Sequence, residues 1–174
     1  MTRKGETTMR RIQRLSLLAG LMALPALPAP AQDFNQFRVM SPDLALDLAR
    51  ATLADCRARG FQVAVAVTDR FGVAQVVLRD SLAGQHTPDT AVLKARTAVS
   101  FRVPTEELAE ATQSGSLNSA IRHIPGFLFL GGGVPVEAAG SIVGGVGVSG
   151  GPSGGADQDC ARAGIAAIED RLLM

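Results

Sequence analysis

Tryptophan and tyrosine are absent from this 174-residue chain, and histidine and cysteine occur only twice each. Without indole or phenol rings there are few platforms on which a nucleobase could stack. The formal net charge of +1 supplies no basic footprint either, so nucleic-acid recognition is excluded. Two cysteines, Cys56 and Cys160, without C-x-x-C spacing make neither a zinc site nor a thioredoxin-like motif. Two histidines also constrain hydrolytic chemistry. A triad would need Ser149, His86 or His123, and Asp69 or Asp157, and nothing in their spacing brings them together.

What is present begins with a leader. Arg10, Arg11 and Arg14 precede an apolar run from Leu15 to Leu27 and then Ala29-Pro30-Ala31. A basic start, a short apolar run and small residues at an A-x-A-like site read as a secretory signal cut after Ala31. The run is too short and too rich in proline to span a bilayer. Met9 is a second candidate start. The leader carries five basic residues (Arg3, Lys4, Arg10, Arg11, Arg14) and one acid (Glu6), so the mature domain has a formal charge of −3. Export permits a disulfide between Cys56 and Cys160. Both also fall on apolar helix stripes, which two buried free thiols would satisfy equally well.

After a polar lead over 32–40, one domain of 41–174 is expected. Ser41-Pro42 opens a helix with a capping hydroxyl and an N1 proline. Ala45, Leu48, Ala49, Thr52, Leu53 and Cys56 form its buried stripe, and Arg57, Arg59 and Gly60 close it. Phe61–Thr68 reads as a strand covered on both faces, Asp69–Gly72 as a turn, and Val73–Arg79 as the antiparallel return. Thr87-Pro88 repeats the cap-and-proline start for a helix ending near Arg102. Pro104 breaks that helix, Thr105 starts a shorter one, and 116–124 forms a helical turn or two. Phe127–Leu130 is a third strand or its lead-in. The order is α-β-β-α-α-β-β(β)-α, an α+β domain with an antiparallel sheet.

The densest signal is Gly131–Gly155, where glycines alternate with Val134, Val136, Ile142, Val143, Val146 and Val148. It reads as two strands joined around Ala139–Gly140, followed by a final helix opened by Asp157 or a neighbour and running to about Leu172. Its glycines either seat an anion or cofactor at the helix start or let a helix lie close on the sheet, the latter being the simpler reading. Gly145–Gly150 spells G-x-G-x-x-G. It lies within a strand, though, and one helix from the end, so it is not a dinucleotide fingerprint. Lys94 shares a helix face with alanines, so its stem packs while its amine reaches an acid or solvent. His86 sits in a loop just before a helix, either as an exposed polar residue or as an imidazole presented to iron or a carbonyl group. His123 resembles a solvated helix end.

Taken in order, Asp69–Gly72, Gly84-Gln85-His86-Thr87, Lys94–Ala98 with Phe101, Pro104–Leu108, Gly132–Val136 and Val143–Gly151 with Asp157 and Gly164 resemble the haem-binding HbpS/GlcG-like family. A similar domain ends the PduO-type cobalamin adenosyltransferases. The resemblance spans about Ser41 to Leu172. It implies a profilin-like sandwich with an antiparallel sheet of about five strands flanked by helices, assembly as a homo-oligomer, and export to the periplasm or beyond. It also implies non-covalent haem, with haem or redox sensing beside a membrane-bound sensor, rather than a classical enzyme. His86 is the candidate iron ligand and His123 the weaker one. Thr87, Arg96, Gly150 and Gly151 are the further cofactor-binding candidates, with Arg79 and the backbone of Gly150–Gly155 also able to meet propionates. The absence of C-x-x-C-H excludes the usual covalent attachment. The rival expectation is a small 2-hydroxy or 2-keto acid in a glycine-lined pocket, with Arg96 or Lys94 on its carboxylate.

Overall fold

A computed structural model describes residues 33–173, and the expected leader, 1–31, lies outside the described residues. The fold is that of the unit beginning at Gln36. Helix α1 spans Pro42–Ala58, with the Ser41 hydroxyl accepting from the Leu44 N–H at 3.2 Å and Pro42 in the first turn. Its buried stripe is the expected one, and Gly60 leaves it at φ +83°. Strands β1 (Ala64–Asp69) and β2 (Ala74–Arg79) form a hairpin. Asp69 shapes the turn by accepting from the N–H groups of Phe71 and Val73.

Helix α2 (Thr87–Phe101), helix α3 (Thr105–Ala111) and a 3-10 turn (Ser119–His123) lead to strands β3 (Gly133–Ala138) and β4 (Ser141–Ser149). Helices α4 (Gly154–Ala166) and α5 (Glu169–Leu172) complete the chain. The sheet is antiparallel in the order β2-β1-β4-β3. Ala139 and Gly140, at φ 48° and 73°, make the tight β3–β4 turn, where two positive φ values match the strand twist. Among the described residues no helix is long and apolar enough to cross a membrane.

Period-two alternation gives the sheet two unlike faces. Val63, Val65, Val67, Val146 and Val148 join Leu48, Leu53 and Ala161 in the main core, under α1 and α4. The opposite face carries Ala64, Ala66, Gly145 and Gly147 and lies under α2. Side chains here are minimal because the α2 backbone occupies their space. A Cβ on Gly147 would fall 2.1 Å from the Ala91 carbonyl oxygen, and one on Gly133 2.3 Å from that of Lys94. The close-packing reading of the glycine-rich stretch therefore holds at these positions.

The α+β class and helix-flanked antiparallel sheet stand as expected, but with four strands among the described residues rather than about five. Phe127–Phe129 forms no strand, and side chains hold this segment instead. The Leu128 N–H donates to Thr97 Oγ1 at 2.8 Å, and Thr105 Oγ1 donates to the Leu130 carbonyl at 2.7 Å. Phe127 and Phe129 pack edge-on to Phe101. Three helix starts and ends also differ from expectation. Thr87 does not cap α2; its hydroxyl donates back to the Gly84 carbonyl, and His86 occupies the cap position. Ser153 rather than Asp157 caps the last helix. That helix breaks at Ala167–Ile168 before the short α5.

Cys56 and Cys160 are bonded, with Cα atoms 5.4 Å apart, and tie α1 to α4 across a sequence separation of 104. Replacing both with alanine should lower the unfolding free energy by about 4–5 kcal/mol, the loop-closure entropy of a ring this long. Urea titration would show an earlier midpoint. An unchanged midpoint would mean that the cross-link adds nothing to stability.

Candidate functional site

The two hairpin turns lie at one end of the sheet. At the other end Ala64 pairs with both Arg79 and Ser149, so the loop after β2 and the loop after β4 emerge side by side. Here the most buried charges of the domain meet. Lys94 is 1% exposed and Asp157 3%. The Lys94 ammonium donates to Asp157 Oδ2 at 2.8 Å and to the Val148 carbonyl at 2.9 Å. Asp157 Oδ1 accepts from the Gly151 N–H at 2.8 Å. Both carboxylate oxygens are thus satisfied, as a buried charge requires. Gly132 makes room for the pair: it has φ +117°, and a Cβ there would lie 2.8 Å from Lys94 Nζ and 2.8 Å from Asp157 Cβ.

This arrangement changes the standing of several candidates. The Lys94 amine is committed inside the fold and is not offered to a metabolite carboxylate. The Gly151 N–H is held by Asp157 and is not open to an incoming anion. Gly150 is exposed at φ +124°, with its backbone close to Gln62 and Val63. Ser149 stands at the centre of Gly147-Val148-Ser149-Gly150-Gly151, which has G-x-S-x-G form. It is nevertheless a buried strand residue paired with Ala64, with no histidine hydrogen-bonded to it. A nucleophile must be presented at a turn with its base in reach, and this serine is not.

The loop 80–86 is tied down from several sides. Asp80 is buried and accepts from Arg57 Nε at 2.7 Å, from Arg57 Nη2 at 2.5 Å and from the Val63 N–H at 3.2 Å. Arg79 donates through Nε to the Ala83 carbonyl at 2.9 Å and also through Nη2. The Thr87 hydroxyl and N–H both reach the Gly84 carbonyl, at 2.7 and 3.1 Å. His86 is exposed on this stapled loop, and among the described residues no hydrogen bond engages its imidazole. Its ring lies over Gly84, where an added Cβ would sit 2.7 Å from Cε1 and 3.0 Å from Nδ1. Thr87, 2% exposed, positions the loop from beneath. Leu82, on the same loop, is 83% exposed.

The remaining candidates lie elsewhere. Arg96 is ten residues along α2 from His86, about 15 Å at the helical rise. It lines a cleft of about 580 Å³ with Arg70 and Arg102 at the hairpin end. His123 is exposed at the end of the 3-10 turn, next to Arg122, which donates to the carbonyls of Thr112 and Ala109. The structure therefore groups His86, Thr87 and Arg79, with Gly150 at the same sheet end, and separates Arg96 from them. The sequence reading missed Asp157 as the partner of Lys94, although a lysine among alanines signalled that some acid was needed. It also missed the Arg70–Arg102 cleft, which no contiguous motif encodes.

Comparison with known proteins places this geometry among relatives. Residues 40–166 match the family described as Haem degrading protein HbpS-like. A double mutant of HbpS from Streptomyces reticuli is 40% identical, with a TM-score of 0.74, over 84% of this chain and 98% of that one. The PduOC:haem complex is 32% identical with a TM-score of 0.70, over 75% of this chain and 95% of that one. The corrinoid adenosyltransferase PduO of Salmonella typhimurium is 34% identical over 123 residues, which is 70% of this chain and 36% of the relative. The chain thus spans about a third of the length of the curated relatives it matches.

The buried pair gives a direct stability test. Lys94→Met leaves Asp157 charged and without its cation, and should cost about 3–5 kcal/mol in urea unfolding. Adding Asp157→Asn, which removes the charge but can still accept from Gly151, should recover much of that loss. If the two changes cost the sum of their separate effects, the side chains are not energetically coupled.

Proposed function

This chain belongs to the HbpS-like family, and from that premise we propose that it binds haem non-covalently outside the cytoplasm, with His86 on the iron. The observation that carries the reading is the unpartnered, exposed imidazole on a loop fixed by Arg79, Asp80 and Thr87. A neutral imidazole is a good iron ligand, and a pre-set loop spares the cost of ordering it on binding. Leu82 gives the same loop an exposed apolar side chain to set against a porphyrin edge. Haem would supply the redox-active iron; the chain's own part is to hold the imidazole in place. Thr87 is assigned to positioning the loop, since its hydroxyl is spent on Gly84. Similarity to the PduOC:haem complex supports the choice of ligand. Export rests on the leader in the sequence and is consistent with the Cys56–Cys160 bond, because such bonds persist in oxidising compartments.

The reading is tested by titrating hemin into the purified protein while following the Soret band, with albumin as competitor to remove nonspecific uptake. A saturable, stoichiometric endpoint is expected. His86→Ala should weaken affinity at least about tenfold, the size of effect that even supporting residues of metal sites reach. Gly84→Val should do likewise by displacing the ring without removing it. An endpoint and spectrum indifferent to His86→Ala would assign the iron to another residue, and a non-saturating response would end the haem reading.

A further inference from the structure

The hairpin end of the sheet carries a second site, remote from the haem loop. Its cleft of about 580 Å³ is lined by Val99, Phe127 and Ile142 and by three arginines, Arg70, Arg96 and Arg102. The volume is that of a small-molecule pocket. Glu137 also lines it, yet among the described residues none of the three arginines has a carboxylate within ion-pair distance. Three cations against one acid leave an excess of positive charge that the fold itself does not neutralise.

Two of the three are held in position. Arg96 donates through Nε to the Gly72 carbonyl at 3.2 Å. Its stem lies against Gly72, where an added Cβ would be 2.9 Å from Arg96 Cγ and the backbone is at φ +79°. That bond and contact leave both terminal nitrogens of Arg96 available. Arg70 stacks over the Phe37 ring at 4.3 Å, and Phe37 meets Phe71 edge-on. Arg102 leaves the α2 terminus in the left-handed region at φ 62°, and among the described residues its exposed side chain has no partner. The negative end of the α2 dipole points toward this cleft, so attraction for an anion has to come from the side chains.

Guanidinium forks match carboxylate and phosphoryl oxygens in pairs. The lining contains no histidine, cysteine or methionine, so iron or a soft metal would find none of its preferred side-chain ligands here. We infer that this cleft binds a small organic dianion, a short dicarboxylate whose carbon frame rests on Val99, Phe127 and Ile142 while its two ends engage the arginines. The site is independent of haem and of His86.

Calorimetric titration of the purified full-length chain at low salt tests this, using succinate, malate and glutarate as probes, butyrate as the matched monocarboxylate, and inorganic phosphate. At least one dicarboxylate should bind saturably at one site, with butyrate at least about tenfold weaker, the smallest loss expected on removing a charged hydrogen-bond partner. Arg96→Gln and Arg102→Gln should each weaken the dicarboxylate by about tenfold or more. Arg102→Gln should do so with an unchanged urea midpoint, which separates binding from folding. His86→Ala should leave the titration unaltered. Absence of saturable binding by every dicarboxylate, equal affinity for butyrate, or indifference to both arginine changes would overturn the inference. Tighter binding of phosphate than of any dicarboxylate would replace the proposed ligand class with a phosphoryl group.

Discussion

The buried pairing of Lys94 with Asp157 is the constraint on which the rest of the domain hangs. Lys94 belongs to α2 on one face of the sheet, and Asp157 to the first turn of α4 in the layer on the other. Their contact, with Val148 and Gly151 as the backbone partners, fixes both helices to the exit of β4. A pair this buried tolerates little displacement, since each charge left unmatched in the interior is costly. It also dictates sequence nearby. Gly132 has no side chain because the pair occupies that space, and Gly151 must present its N–H to the carboxylate.

Given that clamp, the unlike faces of the sheet follow. Valines on one side bury apolar surface against α1 and α4, where the Cys56–Cys160 bond adds a covalent tie. Alanines and glycines on the other let the backbone of α2 settle onto β4 and β1. Stabilisation on that side comes from dense close contact rather than from large side chains. The helix placed so closely against the sheet becomes a rigid bar between the two ends of the domain.

Each end of that bar is given a different chemistry. At its start, Arg79, Asp80 and Thr87 staple a short loop and leave the His86 imidazole exposed and without a hydrogen bond, the basis for the proposed haem ligation. At its finish, Arg96 and Arg102 join Arg70 around a cleft that holds unmatched positive charge. About 15 Å of helix separates His86 from Arg96.

Local chemistry made much of the fold legible. The Ser41-Pro42 start, the six-residue stripe of α1, the Asp69–Gly72 turn and the Ala139–Gly140 turn each depend on neighbours within a few positions, and each could be read directly. The ordered motifs likewise pointed to the family. What could not be read depends on residues brought together from afar. The Thr97 and Thr105 hydroxyls take over the backbone of 127–130 and so remove a strand. Thr87 gives its hydroxyl to Gly84 in place of a cap. Whether Cys56 and Cys160 bond depends on how α1 meets α4, and which acid answers Lys94 depends on how β4 leads into α4. Sequence determined the elements and the alternation of their faces, because those are set by spacing along the chain. Only the tertiary structure decided which polar groups were spent inside, like Lys94 and Asp157, and which, like His86 and Arg102, stayed exposed, because burial and partnership are properties of packing.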